Sequence, residues 1–251
     1  MKRVRLTVAY DGTGYCGWQV QANGNTVQAE LNRHLSQLLQ EEIETIGASR
    51  TDAGVHALGN VAVFDTNARM PGEKISYALN QRLPEDIRIQ CSEEVAADFH
   101  PRYCESEKTY EYRILNRRFP LPTERFYSYF YHYNLDLEKM REGAAYLIGE
   151  HDFASFCGAG AQVKTTVRTV TGINITKADD IVTIRVTGRG FLYNMVRIIA
   201  GTLIEIGNEA YPPRRMDEIL AARNRNAAGP TAPACGLTLV EIRFTEEQQR
   251  L

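Results

Sequence analysis

Several features that identify particular classes of protein are missing from the sequence. No apolar run approaches the ~20 residues that a membrane helix needs, and the N-terminus alternates polar and apolar residues from Lys2 onward, without the pattern of a signal peptide. The five cysteines are an odd number and form no Cys-x-x-Cys pair, which argues against a disulfide framework and against a zinc site. We therefore expect no membrane partner, no metal and a cytoplasmic location.

What the sequence does contain is typical of a globular protein with unevenly distributed charge. Its 251 residues suit two modest domains or one large one, and 43% are hydrophobic and 24% charged. The net charge of −2 does not indicate a nucleic-acid partner, but residues 161–225 hold ten Lys and Arg against six Asp and Glu, whereas residues 41–107 hold six against thirteen. A basic stretch of this kind can follow phosphates. The alternative is a solvated surface without a partner.

Short elements with strand and helix periodicity follow one another through the first part of the chain. Strands are predicted at 4–8, 43–50, 60–66 and 87–91, and helices at 27–38 and 75–83. Asn25 is predicted to cap the first helix, with Gln28 completing a capping box. The order βαββαβ is that of a ferredoxin-like unit.

The second part of the chain repeats this order with one short helix added. Strands are predicted at 110–114, 170–175, 181–187 and 237–244, and helices at 140–147 after an Asp136 cap, at 191–206 and at 216–220. The predicted fold class is therefore α+β, with two ferredoxin-like halves whose antiparallel sheets join around a central cleft. The predicted domains are residues 1–104 and 105–251. Such a fold does not define a function.

The segment Ser49–Ala57, between two predicted strands, is the strongest local candidate for a site. An Asp close to an Arg, as Asp52 is to Arg50, can be held ionised, and an ionised carboxylate can act as a nucleophile or a base. From spacing alone, Asp52 can equally cap an Asx-type turn before Gly54. His56 can likewise be a base or a residue that anchors the loop.

Five motifs in order along the chain resemble those of the tRNA pseudouridine synthase A family. Residues 48–57 read Ala-Ser-Arg-Thr-Asp-Ala-Gly-Val-His-Ala, like the active-site motif of that family. The others are Tyr-Asp-Gly-Thr at 10–13 with Gly-Trp-Gln at 17–19, Lys-Thr-Tyr-Glu-Tyr at 108–112, Gly-Phe-Leu-Tyr-Asn-Met-Val-Arg at 190–197 followed by Gly201, and Ala-Pro-Ala-Cys-Gly-Leu at 232–237. The resemblance covers nearly the whole chain.

The resemblance implies a role for four residues. Asp52 matches the aspartate that attacks the target nucleoside, and Arg197 matches the arginine that pairs with it. Tyr110 matches the tyrosine that stacks on the flipped uracil, and Arg50 a residue near that base. Without the resemblance, Tyr110 reads as a strand aromatic in a sheet core. Arg197 then reads as a helix-edge residue or as a buried cation with a carboxylate partner.

The resemblance also implies an activity. The protein is expected to be an isomerase that converts uridine to pseudouridine at positions 38, 39 and 40 in the anticodon stem-loop of tRNA, by base flipping and as a homodimer. Because the reaction only exchanges a C–N for a C–C bond, no cofactor is expected. Whether Asp52 attacks the base or promotes loss of uracil from the sugar is open. The rival interpretations are a non-catalytic RNA-binding module and a small-molecule enzyme.

Overall fold

The structure is a computed structural model that describes residues 1–160 and 163–245. Within these ranges it contains ten β-strands and five α-helices, which confirms a mixed α and β fold. Two compact units can be distinguished, unit 1 formed by Met1–Ser106 with the chain from Leu239 onward, and unit 2 formed by Glu107–Thr238. The division thus lies two residues after the predicted boundary, and most of the last strand belongs with unit 1.

The elements follow the chain in this order. The strands are β1 (Lys2–Tyr10), β2 (Ile46–Gly47), β3 (His56–Thr66), β4 (Ile87–Val95), β5 (Ser106–Asn116), β6 (Tyr129–Tyr131), β7 (Gly149–Asp152), β8 (Val167–Ala178), β9 (Ile181–Arg189) and β10 (Leu237–Phe244). The helices are α1 (Val27–Leu39), α2 (Gly72–Asn80), α3 (Leu137–Ala145), α4 (Met195–Gly207) and α5 (Arg215–Ala222).

Unit 1 is built on an antiparallel sheet with two helices. The strand order is β4-β1-β3-β10, and the short β2 also pairs with β3. Val4, Leu6 and Val8 of β1 are all buried, because alternate side chains of a strand point to the same face. Helix α1 buries four apolar residues at helical spacing, namely Val27, Leu31, Leu35 and Leu39.

Four predictions for unit 1 need correction. Thr26, and not Asn25, caps α1, since its side chain accepts from the Ala29 amide. Gln28 does not complete a capping box; its Nε2 donates to the Thr45 carbonyl at 2.6 Å. The strand predicted at 43–50 is confined to β2, because the chain leaves the sheet after Gly47 to form the loop that precedes β3. Helix α2 begins three residues before the predicted start.

Unit 2 places its helices against a second antiparallel arrangement of strands. The strand order is β5-β9-β8-β7, and β6 pairs in parallel with the end of β5. Helix α3 packs against α4 and β8. Asp136 caps α3 as predicted, accepting from the amides of Glu138 and Lys139. Asp179 adopts a positive φ of 51° at the β8–β9 turn, between the strands predicted at 170–175 and 181–187.

Two features of unit 2 differ from the prediction. The helix predicted at 191–206 begins at Met195, because Asn194 has a left-handed backbone with φ 60° that ends the preceding loop. Strands β6 and β7 were not predicted; at three and four residues they are too short for a pattern of alternation. Within the described ranges, no helix has the length and apolar character needed to cross a bilayer.

Candidate active site

The segment that resembles the active-site motif forms the loop between β2 and β3 in unit 1. Its backbone is largely enclosed, because the side chains of Ser49, Thr51 and Val55 are buried. Arg50 is exposed and Asp52 is partly exposed. The loop therefore presents these two charged side chains from a buried base.

Strands β1 and β3 and the segment after β1 hold this base in place. The Tyr10 hydroxyl lies 2.7 Å from Thr51 Oγ1, and the Trp18 amide donates to the Thr51 carbonyl at 3.1 Å. The side-chain Nδ2 of Asn60, on β3, donates to the Ser49 carbonyl at 3.0 Å. Three elements thus converge on the residues immediately before Asp52.

Two glycines allow the chain to approach the loop closely. A Cβ on Gly12 would lie 2.0 Å from the Val55 carbonyl oxygen, and one on Gly17, whose φ is +90°, would lie 2.5 Å from that of Thr51. Only glycine fits such contacts without displacing backbone. The N-terminal motif at 10–19 therefore supports the loop, a role that its residue types did not reveal in the sequence.

The turn at Asp52 bears on the Asx-turn alternative. The Val55 amide donates to the Asp52 carbonyl at 3.1 Å, and the Gly54 amide donates to the Tyr15 carbonyl at 3.3 Å. An Asx turn would use the Asp52 carboxylate to accept from the amide two residues on, which is that of Gly54. In the structure this amide has a backbone acceptor in the Tyr15 carbonyl.

His56 follows the turn and is buried at the start of β3. Its Nδ1 lies 3.1 Å from the Gly12 amide nitrogen and 3.1 Å from Asp11 Oδ1. One ring nitrogen cannot accept from the amide and donate to the carboxylate at once, so Nδ1 accepts from Gly12 when it carries no proton and donates to Asp11 when it does. In either state the ring ties the loop to the turn after β1, which supports the anchoring interpretation.

Arg102 is a candidate that the sequence reasoning missed. Its Nε donates to the Gly47 carbonyl at 2.8 Å, beside the start of the loop. Partial desolvation, and then repulsion from Arg50, lowers the pKa of the Arg102 guanidinium. Two cations therefore lie near each other by the loop, an arrangement that attracts phosphate. In the sequence, Arg102 stands in a polar stretch interpreted only as a domain boundary.

Tyr110 lies in the interior of unit 2. It is 7% exposed, sits in β5 and faces Val186 of β9. Its ring meets Phe191 edge to face, with centroids 5.2 Å apart. The structure thus brings the motif at 108–112 against the first residues of the motif at 190–197.

Arg197 is partly buried on α4. Its Nε donates to the Ala232 carbonyl at 2.8 Å and its Nη1 to Asn194 Oδ1 at 3.0 Å. A Cβ on Gly201 would lie 1.9 Å from the Pro230 carbonyl oxygen, so the segment before β10 runs close along α4. Arg197 therefore orients the chain at residues 230–232 as well as offering a positive charge.

The predicted site residues fall into two sets. Arg50 and Asp52 lie in unit 1, whereas Tyr110 and Arg197 lie in unit 2. Across the described ranges, no group of three or more His, Cys, Asp and Glu is placed to hold a metal ion.

The chain is similar to known proteins over both of these units. The chain matches the family model for tRNA pseudouridine synthase at residues 6–104 and 144–245. These stretches include Arg50, Asp52 and Arg197, and Tyr110 lies between them.

Relatives named tRNA pseudouridine synthase A match over nearly the whole chain. The protein from Acetivibrio thermocellus is 48% identical over 97% of this chain and 100% of its own length. A second, from Clostridium tetani, is 51% identical over 96% of this chain and 98% of its own length. Among solved structures, one chain of an archaeal box H/ACA sRNP is 13% identical to this chain, with a TM-score of 0.34. The match covers 98% of this chain and 49% of the archaeal one. That likeness is too weak to support a conclusion.

Proposed function

This chain belongs to the tRNA pseudouridine synthase family, and from that premise we propose that it converts uridine to pseudouridine at positions 38, 39 and 40 of tRNA. The family makes it an isomerase of the pseudouridine synthase class. The observation that carries the proposal is Asp52, partly exposed at the tip of a loop whose base is buried. In this proposal the binding partner of the protein is the anticodon arm of tRNA.

The proposal assigns a role in the reaction to each of four residues. Asp52 attacks the target nucleoside and Arg197 keeps its carboxylate ionised, since Arg retains its charge at every working pH. Tyr110 stacks on the uracil, and Arg50 occupies or supports the space that the flipped base leaves.

The reaction moves one base without gain or loss of atoms. The bond from N1 of uracil to C1′ of the sugar breaks, the base turns, and C5 bonds to C1′. The proton on C5 leaves, and N1 gains a proton. The target base must leave its stack to reach a carboxylate fixed in a protein loop. An aromatic face such as that of Tyr110 offsets the lost stacking by ~1–3 kcal/mol. Attack on the base and loss of uracil from the sugar are both compatible with Asp52.

The finer description of the fold belongs to the same proposal. Unit 1 has the element order βαββαβ and the pairings β4–β1, β1–β3 and β3–β2, which support a ferredoxin-like arrangement. The second ferredoxin-like half and the joining of the sheets around a central cleft stay predictions. So do the homodimer and the cytoplasmic location; sedimentation of the intact protein tests the dimer.

Replacement of Asp52 tests the activity and its nucleophile together. Wild-type protein incubated with unmodified tRNA should produce pseudouridine in the anticodon arm, mapped by carbodiimide chemistry. The Asp52→Asn variant should bind tRNA and form none, because the amide is not a nucleophile of comparable strength. Pseudouridine formed by Asp52→Asn would refute the assignment, and a wild-type protein that leaves the anticodon arm unmodified would refute the specificity.

The two rival functions give different results in the same assays. A non-catalytic RNA-binding module would bind tRNA and make no product in any variant. A small-molecule enzyme would bind its substrate with little salt dependence, whereas tRNA affinity should fall steeply as salt concentration rises.

A further inference from the structure

A buried polar network lies directly behind the loop that carries Asp52. It consists of Tyr10 on β1, Thr51 in the loop and Asn60 on β3. Asn60 Nδ2 lies 3.3 Å from the Tyr10 hydroxyl and 3.0 Å from the Ser49 carbonyl oxygen, and the Tyr10 hydroxyl lies 2.7 Å from Thr51 Oγ1. Asn60 is fully buried, and Tyr10 and Thr51 are 5% and 8% exposed. Buried polar groups that have partners only in one arrangement specify that arrangement.

Tyr10 and Asn60, the two residues of the network that lie outside the loop, are held in place by the sheet. Asn60 Oδ1 accepts from the Val61 amide at 2.9 Å, which holds the side chain in one orientation. In the β1–β3 ladder, Val8 pairs with Asn60 but Tyr10 pairs with Ala57, so the register shifts between Val8 and Tyr10. Such irregularities redirect side chains at the end of a strand. Here the shift accompanies the placement of the Tyr10 hydroxyl beside Thr51.

The network acts on the peptide that precedes Asp52. Thr51 is held at its side chain by Tyr10 and at its carbonyl by the Trp18 amide. On the other side, the Asp52 carbonyl accepts from the Val55 amide. The backbone is therefore fixed on both sides of the Asp52 Cα, and the carboxylate position depends mainly on side-chain torsions.

From this geometry we propose that Tyr10, Thr51 and Asn60 are positioning residues for Asp52. This inference rests on the proposed role of Asp52 as the nucleophile. The three side chains are buried, and the network acts through the loop backbone. Its loss should therefore slow the chemical step and leave tRNA affinity unchanged, because misplacement of a reacting group by about 1 Å costs ~100-fold in rate.

Four single variants separate positioning from general stability. Tyr10→Phe and Thr51→Val each remove one hydroxyl of the network at nearly constant volume, and Thr51→Ser restores the hydroxyl that Thr51→Val lacks. Tyr15→Phe is the matched control, because Tyr15 is also 5% exposed in unit 1 but its hydroxyl donates to Asp86 at 2.6 Å and not to a residue of the loop. The measurements are single-turnover pseudouridine formation at saturating tRNA, tRNA affinity by filter binding, and the thermal unfolding midpoint.

The expected result is a loss of rate that is specific to the network. Tyr10→Phe and Thr51→Val should react about 10- to 100-fold more slowly with tRNA affinity within about twofold of wild type. Thr51→Ser and Tyr15→Phe should react nearly as fast as wild type. The double variant Tyr10→Phe/Thr51→Val should be no slower than the slower single variant, because either change alone removes their shared contact.

Two results would overturn the proposal. One is a wild-type rate in both Tyr10→Phe and Thr51→Val. The other is a loss of rate in Tyr15→Phe as large as that in Tyr10→Phe and Thr51→Val, with the rate of each variant falling in proportion to its folded fraction. Failure of the proposed function would look different, because the wild-type protein itself would then form no pseudouridine. If only the proposal about the network is wrong, the wild-type protein should be active and Asp52→Asn inactive. Tyr10→Phe and Thr51→Val should then react as fast as wild type.

Discussion

At the scale of single residues, the ring of Tyr110 serves both the interior of unit 2 and the proposed contact with uracil. Its edge-to-face contact with Phe191 fixes the ring plane, and a fixed plane is what a stacked base requires. Tyr110→Phe keeps that plane, whereas Tyr110→Leu removes it. We expect single-turnover pseudouridine formation to be about 10- to 100-fold faster in Tyr110→Phe than in Tyr110→Leu, from ~1–3 kcal/mol of stacking.

The two Tyr110 variants also need a comparison of stability, because Tyr110 is buried. The thermal unfolding curve of each variant gives the fraction of protein that is folded at the temperature of the assay. Equal rates per folded molecule in the two variants would show that the ring does not stack on the base.

The sequence indicated candidates for the catalytic residues more readily than it indicated the residues that hold those candidates in place. Asp52 and Arg50 stood out because charged side chains are concentrated between two strands. Tyr10 and Thr51 did not, because their hydroxyls meet across 41 residues of sequence, and neither spacing nor composition encodes such a contact. Arg102 was missed for the same reason, since its neighbour Arg50 is distant in the chain.

At the scale of elements, the glycine at position 17 sets how closely the segment after β1 can approach the loop. A Cβ there would lie 2.5 Å from the Thr51 carbonyl oxygen at a φ of +90°. We expect Gly17→Ala to lower the free energy of unfolding by about 1–3 kcal/mol and to slow pseudouridine formation, because the loop must move. Urea unfolding and the single-turnover assay measure the two effects.

Gly14→Ala provides the control for Gly17→Ala. Gly14 lies three residues earlier in the same segment, and a Cβ added to it meets nothing within 4 Å. This variant should keep wild-type stability and rate. If both alanine variants behave alike, close approach is not the reason for glycine at position 17.

The pairing of β1 with β3 includes an ion pair that should respond to pH. Arg3 and Asp65 are cross-strand partners, joined by two hydrogen bonds of 2.8 and 2.7 Å. The Arg3 hydrogen bond lowers the pKa of the Asp65 carboxyl below its usual 3.8. A carboxyl whose folded pKa is depressed stabilises the fold above its unfolded pKa, and this stabilisation is lost as pH falls through the folded pKa.

Asp65→Asn should therefore lower the free energy of unfolding at neutral pH by about 0.5–1 kcal/mol, the upper part of the range for partly exposed pairs. The difference from wild type should stay constant down to about pH 5 and shrink below about pH 4. Urea titrations across this range measure it. A difference that grows toward acid pH would contradict the assigned ion pair.

The elements themselves could be predicted wherever periodicity is strong. The alternation at Val4, Leu6 and Val8 predicted β1, and the strand predicted at 237–244 coincides with β10. The errors lie at element ends, where local signals compete. Asn25 and Thr26 can both cap a helix, and Phe191–Tyr193 are as apolar as the helix that follows them. Asn194 ends that loop through a backbone conformation that no apolar pattern reveals.

At the scale of the whole molecule, the net charge of −2 conceals local groups of cations, one of which we expect to contact tRNA. Arg102 and Arg50 lie together by the loop, close enough that Arg50 contributes to the lowered pKa of Arg102. Arg69 offers a matched comparison, since it is also an exposed arginine of unit 1. It follows the far end of β3, an eleven-residue strand that spans ~35 Å and begins at the loop.

Removal of Arg102 should therefore weaken tRNA binding in a way that salt reveals. Each phosphate contact adds about one unit to the slope of log K against log salt concentration, so Arg102→Ala should reduce that slope by about one. Arg69→Ala should leave the slope unchanged, because its charge lies far from the loop. Filter binding at several salt concentrations gives both slopes. Equal slopes for Arg102→Ala and wild type would mean that Arg102 contacts no phosphate, and equal losses in both variants would mean that the effect is net charge alone.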